Sequence, residues 1–592
     1  MRRSGKWTLL LGVLLALTLG VAACGGDDGG DEQGTAGGTP AEGQRGGTLI
    51  ALWAGDTDNI DPGGTYYQMG TQIVRATQKT LYTPKIDDST IAEPDLAETD
   101  PQISEDGCQV TVTLKQGVMF SPPVDREVTS ADVKYAIERG FFNTVNNGYA
   151  GAYFGSLRGA EVGVDPGTEI PGIETPDDYT VVFNLEPAEG EDRCTGGVLA
   201  GALQMPLSAP VPADYAEEHD AENPSQYGQN QIATGPYMIE NDASGEAIGY
   251  QPGRRIHLVR NPNWDANLDN RPAYVDEIDI RQGNDDATVM SREILDGQSM
   301  IQGDQSPPPA ILKQALTRQK EQLQLVPSGG GRWVAMNMTI PPFDDVNIRK
   351  AVIAGFDREA MRLTRGGEVL GDIPTHFLPP GMAGFEEAGG LEGPGLDFLA
   401  NPGGDAELAA EYFREAGYDS GQYEGDETLL MVGENEGVDA RAAEVAQQQF
   451  EKLGFNVRLR QVTGDAMYTK FCNVPDAEVA ICPNVGWLKD FPDPVTFLDP
   501  TFNGDNILET GNSNWSQLDA QQLNQQMNEA KLLTDPAEIA QAWGEVDTAI
   551  TEQAPAVPWI WDKQANIRSE NVVGVIDEDN AQWSFAHTSI RQ

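Results

Sequence analysis

Apolar residues recur along the chain with two spacings, one for strands and one for helices. Thr48 to Trp53 reads as a strand, and Gly70 to Leu81 as a helix. From Gln109 to Lys115, Val110, Val112 and Leu114 fall on one face, so a half-buried strand is predicted. Thr129 and Asp132 have capping-box spacing, and Val133 to Phe141 continues as a helix. Tyr179 to Leu185 is another strand, followed by a loop-rich stretch from Glu186 to Gln231.

The C-terminal half repeats the alternation. Val346 to Thr364 has helical spacing through Ile348, Val352 and Phe356, and Ala406 to Ala416 is a helix stopped by Gly417. Thr428 to Val432 predicts a strand and Ala440 to Leu453 a helix stopped by Gly454. Phe455, Val457 and Leu459 then alternate with polar residues. Strand, helix, strand at this spacing predicts a parallel βαβ unit with a right-handed crossover, and the fold class is α/β. No internal repeat is visible.

The first residues have a different pattern. Arg2, Arg3 and Lys6 precede an apolar run, Trp7 to Leu19, and Val21-Ala22-Ala23-Cys24 ends it. The run is short for a membrane span. It resembles a bacterial lipoprotein signal, which implies cleavage of residues 1–23 and acylation of Cys24; an ordinary secretory signal with a chance cysteine is the alternative. Residues 24–47 are biased to Gly, Asp, Thr and Ala without apolar periodicity and read as a flexible tether.

Charge narrows the partners. The 592 residues include 39 Lys and Arg against 92 Asp and Glu, a net charge of −53. That balance argues against sequence-independent nucleic-acid binding, which needs cations to displace counterions, and against a basic membrane patch. A solvated acidic surface is the plain reading; a preference for cationic ligands or a salty habitat would give the same count. With 39% hydrophobic residues a packed core is expected, and the length suggests two to four domains.

Apart from Cys24, four cysteines remain. In an oxidising compartment an even number suggests two disulfides. Of the three pairings, we expect Cys472 with Cys482 and Cys108 with Cys194. No CxxC occurs and the four histidines are scattered, so no metal site or cofactor is expected. Asp265, Asn267 and Asp269 match positions 1, 3 and 5 of an EF-hand loop. The glycine at 6 and the glutamate at 12 are missing, and an acidic hairpin loop is the better reading. No nucleophile elbow, phosphate loop or dinucleotide turn is present, and no catalytic residue is assigned.

A set of short motifs runs the length of the chain. In order they are Gly47-Thr48-Leu49, Asn59-Ile60-Asp61-Pro62, Ile103 to Gly107, Gly117 to Ser121, Val128 to Arg139, Ala233-Thr234-Gly235-Pro236-Tyr237 and Arg260 to Trp264. They continue with Pro342 to Ala351, Phe356-Asp357-Arg358-Glu359, Glu415-Ala416-Gly417-Tyr418, Gly486-Trp487-Leu488-Lys489-Asp490-Phe491-Pro492-Asp493-Pro494, and Pro555 to Pro558. In this order and spacing they resemble the peptide- and nickel-type family 5 of extracellular solute-binding proteins of ABC importers, from about residue 47 to the C-terminus.

The resemblance implies a two-lobed periplasmic-binding-protein type II fold with an extra N-terminal subdomain. Lobe I would take 48–95, 233–327 and 557–592, the inserted subdomain 96–232 and lobe II 328–556, with hinges near Val326 and Ala556. A peptide or other small solute would be enclosed between the lobes and handed by a monomer to permease and ATPase subunits. Asp490 would face the ligand ammonium, because a buried charge needs a partner. Trp487 would form a wall, Thr65, Tyr66 and Tyr67 would approach from lobe I, and Trp333 begins the strand into lobe II; packing is the alternative for the aromatic residues. Asn484 stands where some oligopeptide binders carry an arginine. A sensor or chaperone-like module on the same body is the alternative to import.

Overall fold

The computed structural model describes residues 43–188 and 190–591. The expected signal segment 1–23, Cys24 and the expected tether up to residue 42 lie outside the described residues. Near the start of the described residues, Gly46 N–H donates to Tyr274 O at 2.9 Å. Among the described residues no helix is long and apolar enough to cross a membrane.

One sheet forms the first lobe. Five of its six strands are β1 (Thr48–Leu52), β2 (Tyr237–Ile239), β3 (Arg255–Arg260), β4 (Glu277–Arg281) and β5 (Met300–Gln302), in the order β5-β1-β4-β3-β2, and the sixth, Tyr250–Gln251, pairs with β3 off this path. β1 runs parallel to β4 and β5, and the other pairs are antiparallel. Leu49, Ala51, Ile256, Leu258, Ile278 and Ile280 share its core. Helix α1 (Gln68–Thr77) packs on this sheet through Ile73 and Ala76. It stops four residues before the predicted end. Gln78 is extended, and Lys79 is drawn inward to Asp95 at 2.5 Å and Asp269 at 3.1 Å.

That ion cluster takes in Asp269 of the acidic string at 265–276. Asp269 pairs with Lys79 and Arg271, Asp265 caps the turn at Asn267, and Asp276 accepts from Gly47 N. These carboxylates are already engaged by the protein's own cations and amides.

The segment between β1 and β2 carries a four-stranded antiparallel sheet built from residues 102–103, 109–113, 173–177 and 180–184. Val110 and Val112 are buried as predicted. Helix α2 (Ser130–Arg139) begins with the predicted capping box, Thr129 N donating to Asp132 Oδ2 at 2.8 Å. The sulfurs of Cys108 and Cys194 stand 2.04 Å apart at the edge of this sheet, and those of Cys472 and Cys482 2.14 Å apart in the second lobe.

The second lobe's sheet comprises β6 (Leu323–Met336), β7 (Gly371–Asp372), β8 (Thr428–Glu434), β9 (Asn456–Val462), β10 (Ile481–Leu488) and β11 (Ala556–Ile567), in the order β7-β11-β6-β10-β8-β9. The predicted βαβ unit is present. β8 and β9 pair in parallel from Thr428 with Asn456 to Glu434 with Val462, and a helix from Gly437 to Lys452 connects them. The predicted helix from Val346 to Thr364 is two helices, α3 (Val346–Gly355) and α4 (Arg358–Thr364). Phe356 is extended, and the Asp357 carboxylate caps α4 by accepting from Ala360 N at 2.8 Å, so a new helix starts there.

Two long strands pass between the lobes. β6 and β11 pair antiparallel from Leu323 with Ile567 to Ala335 with Ala556, with a break between Pro327 and Gly331. Val334, Val557, Trp559 and Ile560 lie in the second lobe's core, whereas Ile567 packs with Leu52, Met290 and Ile294 of the first. Gly329 sits in the break with φ +69°, a left-handed conformation that favours glycine, and the Lys489 side chain packs against it.

Candidate functional site

A cavity of about 1120 Å³ lies where the lobes and the inserted sheet region meet. The first lobe contributes the loop before α1. The Asp58 carboxylate accepts from Tyr66 N at 2.6 Å, Tyr67 N at 3.1 Å and Thr65 Oγ1 at 3.0 Å, which turns the loop toward the cavity. Thr65 is fully buried and its hydroxyl is used on Asp58. Tyr66 and Tyr67 line the cavity and are 44% and 59% exposed.

The second lobe contributes the end of β10 and the turn after it. Trp487 lines the cavity, half-buried, with Nε1 donating to Thr496 O at 2.7 Å. Asp490 lies at the wall between the bodies. Its Oδ1 accepts from Tyr66 Oη at 2.6 Å and its Oδ2 accepts from Tyr153 Oη. Burial pushes the Asp490 carboxyl up to about 6, against the pull of the two phenol hydrogen bonds. Both phenols are pushed well above their ordinary value, chiefly by burial and then by the Asp490 charge. They are therefore proton donors to a carboxylate at neutral pH.

The neighbours of Asp490 also bridge. Lys489 Nζ lies 3.2 Å from Asp579 and donates to Ser89 Oγ at 3.0 Å, and Phe491 packs edge-on against Tyr153 with ring centroids 5.1 Å apart. Three consecutive residues of the second lobe thus touch the first lobe and the inserted region.

Two expected site residues lie elsewhere. Trp333 is 2% exposed, does not line the cavity, and packs against Phe377, Phe497, Phe502 and Trp515. On β6 its neighbour Arg332 takes the opposite face and lines the cavity instead. Asn484 is also buried and off the cavity; its Nδ2 donates to Asp439 Oδ1 at 2.6 Å.

Sequence reasoning missed four residues. Tyr153 ends a short helix, Ala150–Tyr153, in which only the Tyr149 and Tyr153 spacing hints at a shared face. Arg332, Arg365 and Arg441 come from three separate elements with no common motif. The charged lining residues are Arg75, Arg332, Arg365, Arg441, Lys489 and Lys563 against Asp304, Asp490, Asp562 and Asp579. No histidine or cysteine is among the described lining residues.

These two lobes, joined by paired strands beside a large cleft, have counterparts among known proteins. The family model for bacterial extracellular solute-binding proteins, family 5 (middle), matches residues 92–509. The chain belongs to that family. It is 25% identical over 482 residues to heme-binding protein A of Haemophilus influenzae, covering 79% of each chain. It is 23% identical over 584 residues to the oligopeptide-binding protein OppA of Bacillus subtilis, covering 96% of this chain and 97% of that one. Among solved structures, the clavulanic acid biosynthesis oligopeptide binding protein 2 superposes with a TM-score of 0.80 at 24% identity, over 93% of this chain and 96% of that one. The family fold is two-lobed, as the motifs implied.

Proposed function

We propose that this protein is the lipid-anchored, extracytoplasmic receptor of an ABC importer, which encloses a peptide or related amine-bearing solute between its lobes and passes it to a permease. The observation that carries this is Asp490, a carboxylate with raised proton affinity at the wall of a large cavity between two lobes. A ligand ammonium placed there would meet a charge already desolvated, so the pairing forfeits little hydration on the protein side. Relatives whose names state peptide binding support the ligand class. A relative named for heme points another way, and the mass of the retained ligand separates the two readings.

In this reading lobe I takes 48–95, 233–327 and 563–592, the inserted subdomain 96–232 and lobe II 328–562; the last boundary moves from the expected 557 because Val557, Trp559 and Ile560 pack in the second lobe's core. Bending is absorbed at the interruption between Pro327 and Gly331, next to the expected hinge at Val326, and at the facing residue Asp562 rather than at Ala556, which pairs with Ala335. Trp487 supplies an apolar wall, Tyr66 and Tyr67 supply hydroxyls at the cavity, and Tyr153 supports the Asp490 carboxylate. Cys24 carries the acyl anchor, and Cys108–Cys194 and Cys472–Cys482 are disulfides formed outside the cytoplasm. Native mass spectrometry of the full-length protein, extracted in mild detergent, tests the reading. Peptide masses released on unfolding are expected; a retained heme, sugar or metal chelate would overturn it.

A further inference from the structure

We infer that Asn147 is a positioning residue for the cleft: its carboxamide ties the loop that bears Tyr66 to the helix that bears Tyr153, so that the two phenols grip Asp490 as one unit. The inference rests on the ammonium pairing proposed above and adds a residue that does not itself line the cavity.

The two phenols reach Asp490 from different parts of the chain. Tyr66 lies in the first-lobe loop after Asp61-Pro62, and Tyr153 ends the short helix Ala150–Tyr153 of the inserted region. Asn147 bonds to both segments. Its Nδ2 donates to Gly63 O at 2.8 Å, in the Tyr66 loop. Its Oδ1 accepts from Tyr149 N at 2.8 Å and from Ala150 N at 2.6 Å, where the short helix begins. These partners fix which way the amide points, because the two N–H groups only donate and the carbonyl only accepts. One helical turn carries the position on to Tyr153, whose N–H donates to Tyr149 O at 3.1 Å. The Tyr66 and Tyr149 ring centroids are 5.9 Å apart, which closes the circuit.

A second tie lies deeper and does a different job. Arg139 of α2 is fully buried and donates to both oxygens of Asp61 at 2.8 Å, and Asp61 Oδ1 accepts from Gly63 N at 2.8 Å. That pair anchors the start of the loop to the inserted region's core, and removing either partner would strand a buried charge. Asn147 is uncharged and only half-buried, so the fold tolerates its replacement while the span between the phenols changes. An aspartate there would keep an acceptor for Tyr149 N and Ala150 N. It would also set a carboxylate oxygen against Gly63 O, with no donor between them. Binding groups hold their geometry only while such a supporting shell is intact.

Calorimetry on the full-length protein tests this with Ala-Ala-Ala and its N-acetylated form. Asn147→Asp is expected to weaken the free-amine peptide about fivefold and the acetylated one less than about twofold. Asn147→Ser, too short to span from Gly63 to the helix, should do the same. In a Tyr66→Phe, Tyr153→Phe background, Asn147→Asp should cost the free-amine peptide less than about twofold more, because it acts through the two hydroxyls. Equal losses for both peptides, from a wild type that prefers the free amine, would overturn the inference. So would an undiminished loss in the background that lacks the hydroxyls. A ligand-free arm separates this inference from the ammonium pairing. Small-angle scattering should give Asn147→Asp a larger radius of gyration than the wild type, as is expected of Tyr66→Phe, and an unchanged radius would overturn the inference. If the wild type binds both peptides alike while the radius still grows, the ammonium pairing falls and the tie through Asn147 stands.

Discussion

Tyr66 Oη donates to Asp490 Oδ1 at 2.6 Å although the two residues are 424 positions apart, one in each lobe. Tyr153 occupies the other carboxylate oxygen. A carboxylate has about four lone-pair positions, so two remain for an ammonium without either phenol leaving. The phenols thus support the charge and join the bodies. Hydrogen bonds to charged groups are worth about 1.5–3 kcal/mol, and the partial exposure of Tyr66 favours the lower end. Tyr66→Phe is expected to weaken a free-amine tripeptide about tenfold and to increase the radius of gyration of the ligand-free protein. Calorimetry and small-angle scattering read these out; no change in either removes the bridging role.

The pH response of Asp490 has two opposite signs. Burial pushes its carboxyl to about 6, above the unfolded value near 3.9. Pairing with an ammonium needs the ionised form. Affinity for a free-amine peptide should therefore be full above pH 7 and about tenfold lower at pH 5. Stability moves the other way, because the fold disfavours the ionised carboxyl. The ligand-free protein should gain stability from this residue as pH falls from about 6 towards 4. Asp493, also pushed to about 6 by burial, adds a contribution of the same sign. The Asp490 share is the difference between wild type and Asp490→Asn, whose affinity should be flat over the same range.

Asp490→Ala should cost at least tenfold in affinity for a free-amine tripeptide and little for its N-acetylated form, since losing one member of a buried charge pair costs about 2–5 kcal/mol. Equal losses for both peptides would show that no ammonium meets this carboxylate.

Much of the framework was legible because it is local. The capping box at Thr129 and Asp132, the stop at Gly417 and the alternation at Val457 and Leu459 depend on neighbours a few residues away. The cleft was only half legible. Asp490 and the Tyr66 loop were reached through motifs, but Trp333 was placed at the ligand and Arg332 overlooked. Adjacent residues on a strand face opposite sides, and β6 is irregular at Pro327–Gly331 and again near Trp333, so its phase cannot be counted from the sequence. The arginines come together only through tertiary packing of β6, the end of α4 and the helix from Gly437. The break at Phe356 was missed because apolar spacing continued across it while Asp357 capped a new helix.

Trp333 and Trp487 should therefore separate stability from binding. Trp333→Ala removes a ring in contact with four aromatic residues and should cost about 3–5 kcal/mol in denaturant unfolding. Trp487→Ala, at the cavity wall, should lower peptide affinity more than stability. The reverse pattern would return Trp333 to the site.

Two cysteine pairs close loops of different length, and the chain-entropy model ranks them. The Cys472–Cys482 loop spans 10 residues and the Cys108–Cys194 loop 86. Constraining the unfolded chain stabilises by about 2.7 kcal/mol for the short loop and about 4.6 kcal/mol for the long one. Replacing Cys108 and Cys194 by serine should therefore lower the denaturant midpoint more than replacing Cys472 and Cys482. Ellman titration of the unfolded, unreduced body should find no free thiol from these four. The same experiment bears on localisation, because bonds of this kind persist in an oxidising compartment and are rare in the cytosol. Four titratable thiols in protein isolated from its native cells would contradict both the pairing and the exported site of folding.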